Sequence, residues 1–419
     1  MIRILPFDLP PLMRAPVSKS HLQRELLLSL LADNPSTLFG DFTWLPEDAK
    51  SALALLEALG ANVTVTPNRI EILPPKKDTL QDVLTFSVGE SGFLFRTMLF
   101  LGFFFGRQIR IEAEGTLLHR NINATLNALP NTGIEVVSEQ GNWPIVLERV
   151  KPMPTELTWE ASDTSQLVTG ILFYMAMGKG PERLTLLNPV SLPYIQLSVA
   201  RLAARGVSIQ QTENTFFRAD SRSIKGIECW VQGDWSSAAN LLCMAAIRGS
   251  VQLDGLTINS NQADEKILSI LRDFGATVEV LPSSINVRSN ANRPITVDIT
   301  HCPDLFPALA VLSACAQGIS KISGLHRLYN KESDRLKSTT SLLSTLGVAF
   351  ERENDTLHIH GGMHYTNDRV NSFQDHRIVL ATAIAAYALQ TWIEIEEIES
   401  IKKSYPEMKH FLSLASNKT

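Results

Sequence analysis

Charge is scarce in this chain. Only 19% of its 419 residues are Asp, Glu, Lys or Arg, against roughly a quarter in an average soluble protein. With 44% apolar residues, that excludes a disordered or highly charged scaffold, which could not bury enough apolar surface to fold. The formal net charge is −5, so the basic excess of a nucleic-acid binder is missing. Cysteine is almost absent. Cys229, Cys243, Cys302 and Cys315 show no CxxC spacing and read as reduced core residues of a cytosolic protein, not a disulfide framework or zinc site. Long apolar runs are missing too. Thr97–Gly106 is the most membrane-like stretch, about half the length a spanning helix needs, and Arg96 precedes it. It reads as a buried helix. Prolines interrupt the first twenty residues, so no secretory leader is expected and the chain reads as cytoplasmic.

Several nucleotide and hydrolase signatures are also lacking. There is no GxxxxGK[ST], no GxGxxG after a strand and no GxSxG. Gly178-Lys179-Gly180 is the nearest string to the first, and it fails. His358, His360 and His364 alternate within TLHIHGGMHY and read as strand and turn, with no metal expected.

What is present is a repeat. Six times a small polar cluster opens a strongly apolar helical run, anchored at Ser20, Ser91, Ser165, Ser236, Asp304 and Asp375. The spacings are 71, 74, 71, 68 and 71 residues. Amphipathic segments recur in phase and end at Gly60, Gly133, Gly206, Gly275 and Gly347, where glycine suits a left-handed helix C-cap. Strand-like runs such as QIRIEAE, VQLDGL and WIEIEEI accompany them. Each unit therefore mixes strand and helix, with one helix apolar on most sides that must be surrounded by protein. Two globular domains of three units each follow. If equivalent helices run parallel, their N-termini gather on one face and offer free N–H groups to anions.

Basic side chains accompany these starts: Lys19, Arg24, Arg96 and Arg377, with Arg120, Lys331, Arg335, Lys402 and Lys403 in loop-like strings. Arginine grips carboxylate or phosphate with paired hydrogen bonds, and lysine acts as a compact charge. An anionic substrate is the expectation. In KESDR, Lys331 and Arg335 are predicted to lie one helical turn apart on one face, a like-charge pair that needs an anion between them. Glu332 is a candidate proton-transfer group, since a closed cleft raises a carboxylic acid's pKa.

The strings PVSKSHLQR (Pro16–Arg24), GESGFLFR (Gly89–Arg96), HRNI, TSQ, SLPYI, GDWSSA, Pro303-Asp304, KESDRL (Lys331–Leu336), DHR (Asp375–Arg377) and KSYP occur in this order from end to end. In this, the sequence resembles the 5-enolpyruvylshikimate-3-phosphate synthase family. The resemblance implies an α/β fold: a two-domain, inverse α/β barrel-like enolpyruvyl transferase of six βαβαββ units. One domain would span residues 17–233 and the other would combine 1–16 with 234–419, the active site lying in the interdomain cleft. It implies transfer of the enolpyruvyl group of phosphoenolpyruvate to the 5-hydroxyl of shikimate 3-phosphate, in chorismate and aromatic amino acid biosynthesis. No cofactor, metal, nucleic acid or membrane would take part, and the protein would be a monomer.

By the same resemblance, Lys19, Gly92, Arg120, Gln166, Arg335, Arg377 and Lys403 would bind phosphoenolpyruvate. Lys19, Ser20, Arg24, Thr164, Ser165, Gln166, Ser191, Asp304 and Lys331 would bind shikimate 3-phosphate. Asp304 would take the hydroxyl proton, Glu332 would protonate the methylene carbon, and Lys19, between the ligands, would join them in catalysis. The chain departs from the family pattern at Val17, Glu90, Phe93, Arg327 and Tyr329. Two other readings stay open. A sister transferase acts on UDP-N-acetylglucosamine, but it carries a loop cysteine that Glu112–Arg120 lacks. A catalytically weakened anion binder would bind substrate without turnover.

Overall fold

A computed structural model describes residues 2–76, 80–138, 142–218, 223–329, 331–366, 368–412 and 414–416. The chain separates into two compact units, Lys19–Val231 and Met1–Ser18 with Gln232–Thr419. In the first unit the helices are α1 (Lys19–Leu31), α2 (Glu47–Ala58), α3 (Gly92–Leu101), α4 (Asn123–Ala128), α5 (Ser165–Ala176) and α6 (Leu192–Ala204). In the second they are α7 (Trp235–Ile247), α8 (Ile267–Phe274), α9 (Phe306–Ala314), α10 (Arg335–Thr345), α11 (His376–Leu389) and α12 (Met408–Phe411).

Among the described residues each unit carries three four-stranded sheets of one design. Strand Gln81–Ser87 leads through α3 to a parallel partner, Gly106–Glu112, with Phe86 opposite Ile111. After α4 the chain returns as an antiparallel pair, Ile134–Val136 and Ile145–Arg149, and the latter flanks Gly106–Glu112. This is βαβαββ. The parallel pair needs a crossover longer than a tight turn, and the helix supplies it. In two of the sheets the first strand is exchanged along the chain. Leu12–Arg14 heads the sheet around α7, pairing with Ser250–Asp254, and Glu228–Trp230 heads the sheet around α1, pairing with Ser36–Phe39. The sixth sheet is closed by Ile2–Ile4, which lies between Ile393–Glu396 and Leu414–Ser416.

The apolar helices are the interior of each unit. Every residue of α3 and α9 is buried, and α5, α7 and α11 are buried along nearly their whole length. Helices with no polar face have no orientation that leaves them stable against water. Among the described residues no helix is long and apolar enough to cross a membrane. The five repeat glycines all have positive φ. At Gly275, φ is +107° and a Cβ would meet the Ala291 carbonyl oxygen at 2.7 Å, so both backbone and space demand glycine there.

The interior of α1 is less apolar than its leucines suggest. Glu25 is fully buried and is gripped by Arg205, whose Nη2 donates to Oε2 at 2.6 Å, and by Arg201 Nε at 2.5 Å. Burial alone would raise the Glu25 pKa. The His21 hydrogen bond and the two guanidinium groups outweigh it and hold the carboxylate at about 2. All four cysteines are free thiols. Burial pushes those of Cys229, Cys302 and Cys315 up to about 12, so they remain unreactive.

Candidate active site

Four of the polar clusters that open the apolar helices supply helix caps, two at the sequence anchors Ser91 and Asp375 and two displaced by one or two residues. Ser91 caps α3 by accepting from Leu94 N, Thr164 caps α5, Asp234 caps α7 and Asp375 caps α11. Ser165 and Ser236 fall within the first turn, and Asp304 lies in a short 3-10 turn, Pro303–Leu305, just before α9. Hydroxyl and carboxylate oxygens are suited to this position because they satisfy N–H groups with no helical partner.

In the first unit the starts of α1, α3, α5 and α6 are tied together by side chains. Lys19 Nζ, the first residue of α1, lies 3.1 Å from Asp48 on α2. Gln23 donates to Ser91 Oγ at 2.9 Å and to the Asp48 carbonyl at 3.2 Å. Gly92 lies under two guanidinium groups: a Cβ there would be 2.8 Å from Nη1 of both Arg96 and Arg120. Arg96 also donates to Gln166 Oε1 at 2.9 Å. Lys19, Gly92, Arg120 and Gln166 thus lie along one chain of contacts at the helix starts. Arg24 is buried and engaged on every nitrogen, donating to Ser198 Oγ, the Ser20 and Tyr194 carbonyls and Thr169 Oγ1. Its guanidinium lies over the Phe93 ring at 4.8 Å, which gives the bulk of Phe93 a place. Burial lowers its pKa to about 10, so it keeps its charge at neutral pH. Ser191 precedes α6 in a left-handed conformation, φ +51°, a strained setting for serine that concentrates at functional sites.

In the second unit Arg335 is the hub. Its Nε donates to Asp375 Oδ2 at 2.9 Å, and its Nη atoms pair with Asp304 Oδ1 and Glu332 Oε2. Arg377 Nη2 takes the other Asp304 oxygen at 2.7 Å. Burial would raise the Asp304 pKa, but Arg377, Arg335 and Lys331 reverse this and hold it far below the carboxylate range. Arg335 and Arg377 are correspondingly held charged, their carboxylate partners outweighing burial. Burial is the largest influence on Lys331 and lowers it to about 8, although Asp304 opposes this. Lys403 Nζ donates to the Gln374 carbonyl at 3.2 Å, one residue before the α11 cap.

One expectation is corrected here. Lys331 and Arg335 do not share a helical turn: α10 begins at Arg335, capped by Asp334 accepting from Lys337 N, and Lys331 precedes the helix. The cap wins because an aspartate next to the first helical residue satisfies an otherwise orphaned N–H. The counter-charge that the cationic pair requires comes from Asp304, Glu332 and Asp375.

The sequence profile of the family described as EPSP synthase (3-phosphoshikimate 1-carboxyvinyltransferase) matches residues 9–412. The chain belongs to the EPSP synthase family. A 3-phosphoshikimate 1-carboxyvinyltransferase of Pyrococcus abyssi is 33% identical over 401 residues, 96% of this chain and 93% of that protein. Its counterpart in Methanocorpusculum labreanum is 30% identical over 400 residues, 94% and 93% of the two chains. The fold is that of the EPSP synthase from Acinetobacter baumannii, with a TM-score of 0.79 at 21% identity over 99% of both chains. The six-unit α/β architecture is therefore the family's.

Several side chains that hold the candidate residues carry no recognisable string of their own. Asp48, Thr169 and Ser198 hold expected ligands in place, yet each sits in an ordinary helical sequence. Asp264 is fully buried in a short 3-10 turn, accepts from Ser236 Oγ and leaves Oδ1 unpaired. Burial, then the charge of Asp304, raises its pKa to about 7. Asp375 was legible as part of DHR, but not as a ligand of Arg335.

Proposed function

We propose that the protein transfers the enolpyruvyl group of phosphoenolpyruvate to the 5-hydroxyl of shikimate 3-phosphate, using the residues assembled at the two sets of helix starts. The protein is a transferase of the EPSP synthase family, and family membership carries the reaction with it. The observation that supports these residue roles best is the pairing of Asp304 with both Arg335 and Arg377. The proposed base thus faces, through one oxygen each, two of the cations assigned to an anionic substrate.

The chemistry follows from that balance. Phosphoenolpyruvate brings a phosphate and a carboxylate, which arginine forks accept with charge-assisted bonds. As Arg335 and Arg377 turn to the substrate, Asp304 loses the charges that depress its pKa and becomes a better base. Asp304 then takes the 5-hydroxyl proton. Glu332 protonates the methylene carbon, the neighbouring carbon becomes electrophilic, and the hydroxyl oxygen bonds to it. The C–O bond to phosphate breaks, a methyl proton returns to Glu332, and the enol ether is complete. Lys19, Arg120, Gln166 and Lys403 hold the phosphoenolpyruvate charges, with Gly92 leaving room for them. Ser20, Arg24, Thr164, Ser165, Ser191 and Lys331 hold shikimate 3-phosphate. Charges already fixed in place stabilise the transition state without reorganising.

In this reading, residues 17–233 and residues 1–16 with 234–419 are the two domains, and both supply groups to the substrates. The protein works as a monomer in the cytoplasm, where four free thiols stay reduced. Phosphate release from phosphoenolpyruvate, with shikimate 3-phosphate or UDP-N-acetylglucosamine as acceptor, tests the assignment. Release only with shikimate 3-phosphate, lost in Asp304→Ala and Glu332→Ala, is the expected result. Release with the nucleotide sugar would overturn it.

A further inference from the structure

Glu90 is an acidic residue placed among cations, two positions before Gly92, where a negative charge should weaken an anion site. Its surroundings show what offsets this. Glu90 Oε2 accepts from both the backbone N and the Oγ1 of Thr116, each at 2.9 Å. Its carboxylate also fills the space where a Cβ on Gly115 would stand, and Gly115 has φ +54°. The neighbouring Gly89 carbonyl accepts from Glu114 N at 3.0 Å. Thr116 belongs to the 3-10 turn Gly115–His119, and the next residue is Arg120. Arg120 N donates to Leu117 O at 3.2 Å, so it is tied to that turn, and its guanidinium returns over Gly92.

The turn that carries Arg120 is therefore fastened at its start by the residue that opens the Gly92 loop. We infer that Glu90 is a positioning residue: its carboxylate is spent on Thr116 and sets where Arg120 meets the phosphoenolpyruvate anion. This rests on the reading of Arg120 as a ligand of phosphoenolpyruvate. A 3-10 turn has few internal hydrogen bonds, so a charge-assisted bond to its leading N–H is a large part of its order. A misplacement of about 1 Å at a binding group can cost on the order of 100-fold.

The test is a double-mutant cycle with amide exchange on the full chain. Glu90→Ala should raise the KM for phosphoenolpyruvate roughly 10-fold or more, with kcat changed much less. Thr116→Val, which keeps the backbone donor but loses the hydroxyl, should give a smaller shift in the same direction. In an Arg120→Ala background, Glu90→Ala should change KM by less than about 2-fold, because the group it positions is gone. Hydrogen exchange at Thr116 N–H should quicken in Glu90→Ala and stay near wild type in Thr116→Ser. An unchanged KM in Glu90→Ala, or an equal effect with and without Arg120, would overturn the positioning role. Unchanged exchange would overturn the clamp itself. If the wild-type protein releases no phosphate from phosphoenolpyruvate and shikimate 3-phosphate, the functional reading fails, and exchange alone then decides whether Glu90 orders the turn.

Discussion

Arg377 holds Asp304 twice, donating from Nη2 to the carboxylate Oδ2 at 2.7 Å and from Nη1 to the main-chain carbonyl at 3.2 Å. One guanidinium thus fixes both the backbone and the charge of the proposed base. The remaining carboxylate oxygen is taken by Arg335. Asp304 therefore has no carboxylate oxygen without a guanidinium partner.

Asp304→Asn keeps the shape but removes that charge. Phosphate release should fall by at least ~100-fold, the usual effect of losing a general base. Binding of phosphoenolpyruvate, read by calorimetry, should hold or tighten because Arg335 and Arg377 are freed. A large loss of binding would show that Asp304 orders the arginines rather than competing for them.

Gly92→Ala places a Cβ 2.8 Å from Nη1 of both Arg96 and Arg120. Both obstacles are ends of flexible side chains, so they can move and folding suffers little. Arg120, the proposed phosphoenolpyruvate ligand, is nonetheless displaced. We expect a KM for phosphoenolpyruvate raised roughly 10-fold or more, with a melting temperature within a few degrees of wild type. A melting temperature that falls steeply would point to backbone damage instead.

Removing Arg205 leaves Glu25 buried beside Arg201 and His21, with the guanidinium that donates twice to Oε2 missing. Breaking a buried ion pair from one side costs about 3–5 kcal/mol. Arg205→Met should therefore lower the urea midpoint sharply, and Glu25→Gln combined with it should restore part of the loss. A near-neutral single variant would show that Arg201 alone satisfies the carboxylate.

Asp264 carries a pH dependence of defined sign. Its pKa rises from 3.8 to about 7 on folding, chiefly through burial. Between those values the folded protein keeps a proton that the unfolded chain has released. Its contribution to stability therefore falls as pH rises through that window and levels off above about 7. In Asp264→Asn this slope disappears, and the variant should be the more stable protein above pH 7 by urea titration at a series of pH values. Parallel curves for the two proteins would mean that Asp264 stays ionised.

The repeat, its six apolar helices and most of their caps were legible in the sequence because they are local. A helix period, a capping oxygen and a C-cap glycine such as Gly275 leave their mark within a dozen residues. The cationic cluster of the second unit was legible for a related reason, since KESDRL and DHR are contiguous strings. Spacing suggests a helix over Lys331–Arg335, whereas the Asp334 cap decides where α10 begins.

Sequence alone determined the α/β repeat, which follows from residue type and spacing, and its contiguous strings carried the resemblance to the family and, with it, the expected class of ligand. Only tertiary structure decided the pairing. That Arg335 answers to both Asp304 and Asp375, that Glu90 accepts from Thr116, and that Asp264 lies buried with an unpaired oxygen depends on elements distant in the chain. Coulomb energy and desolvation vary with separation and burial in space, and neither quantity is written in the order of residues.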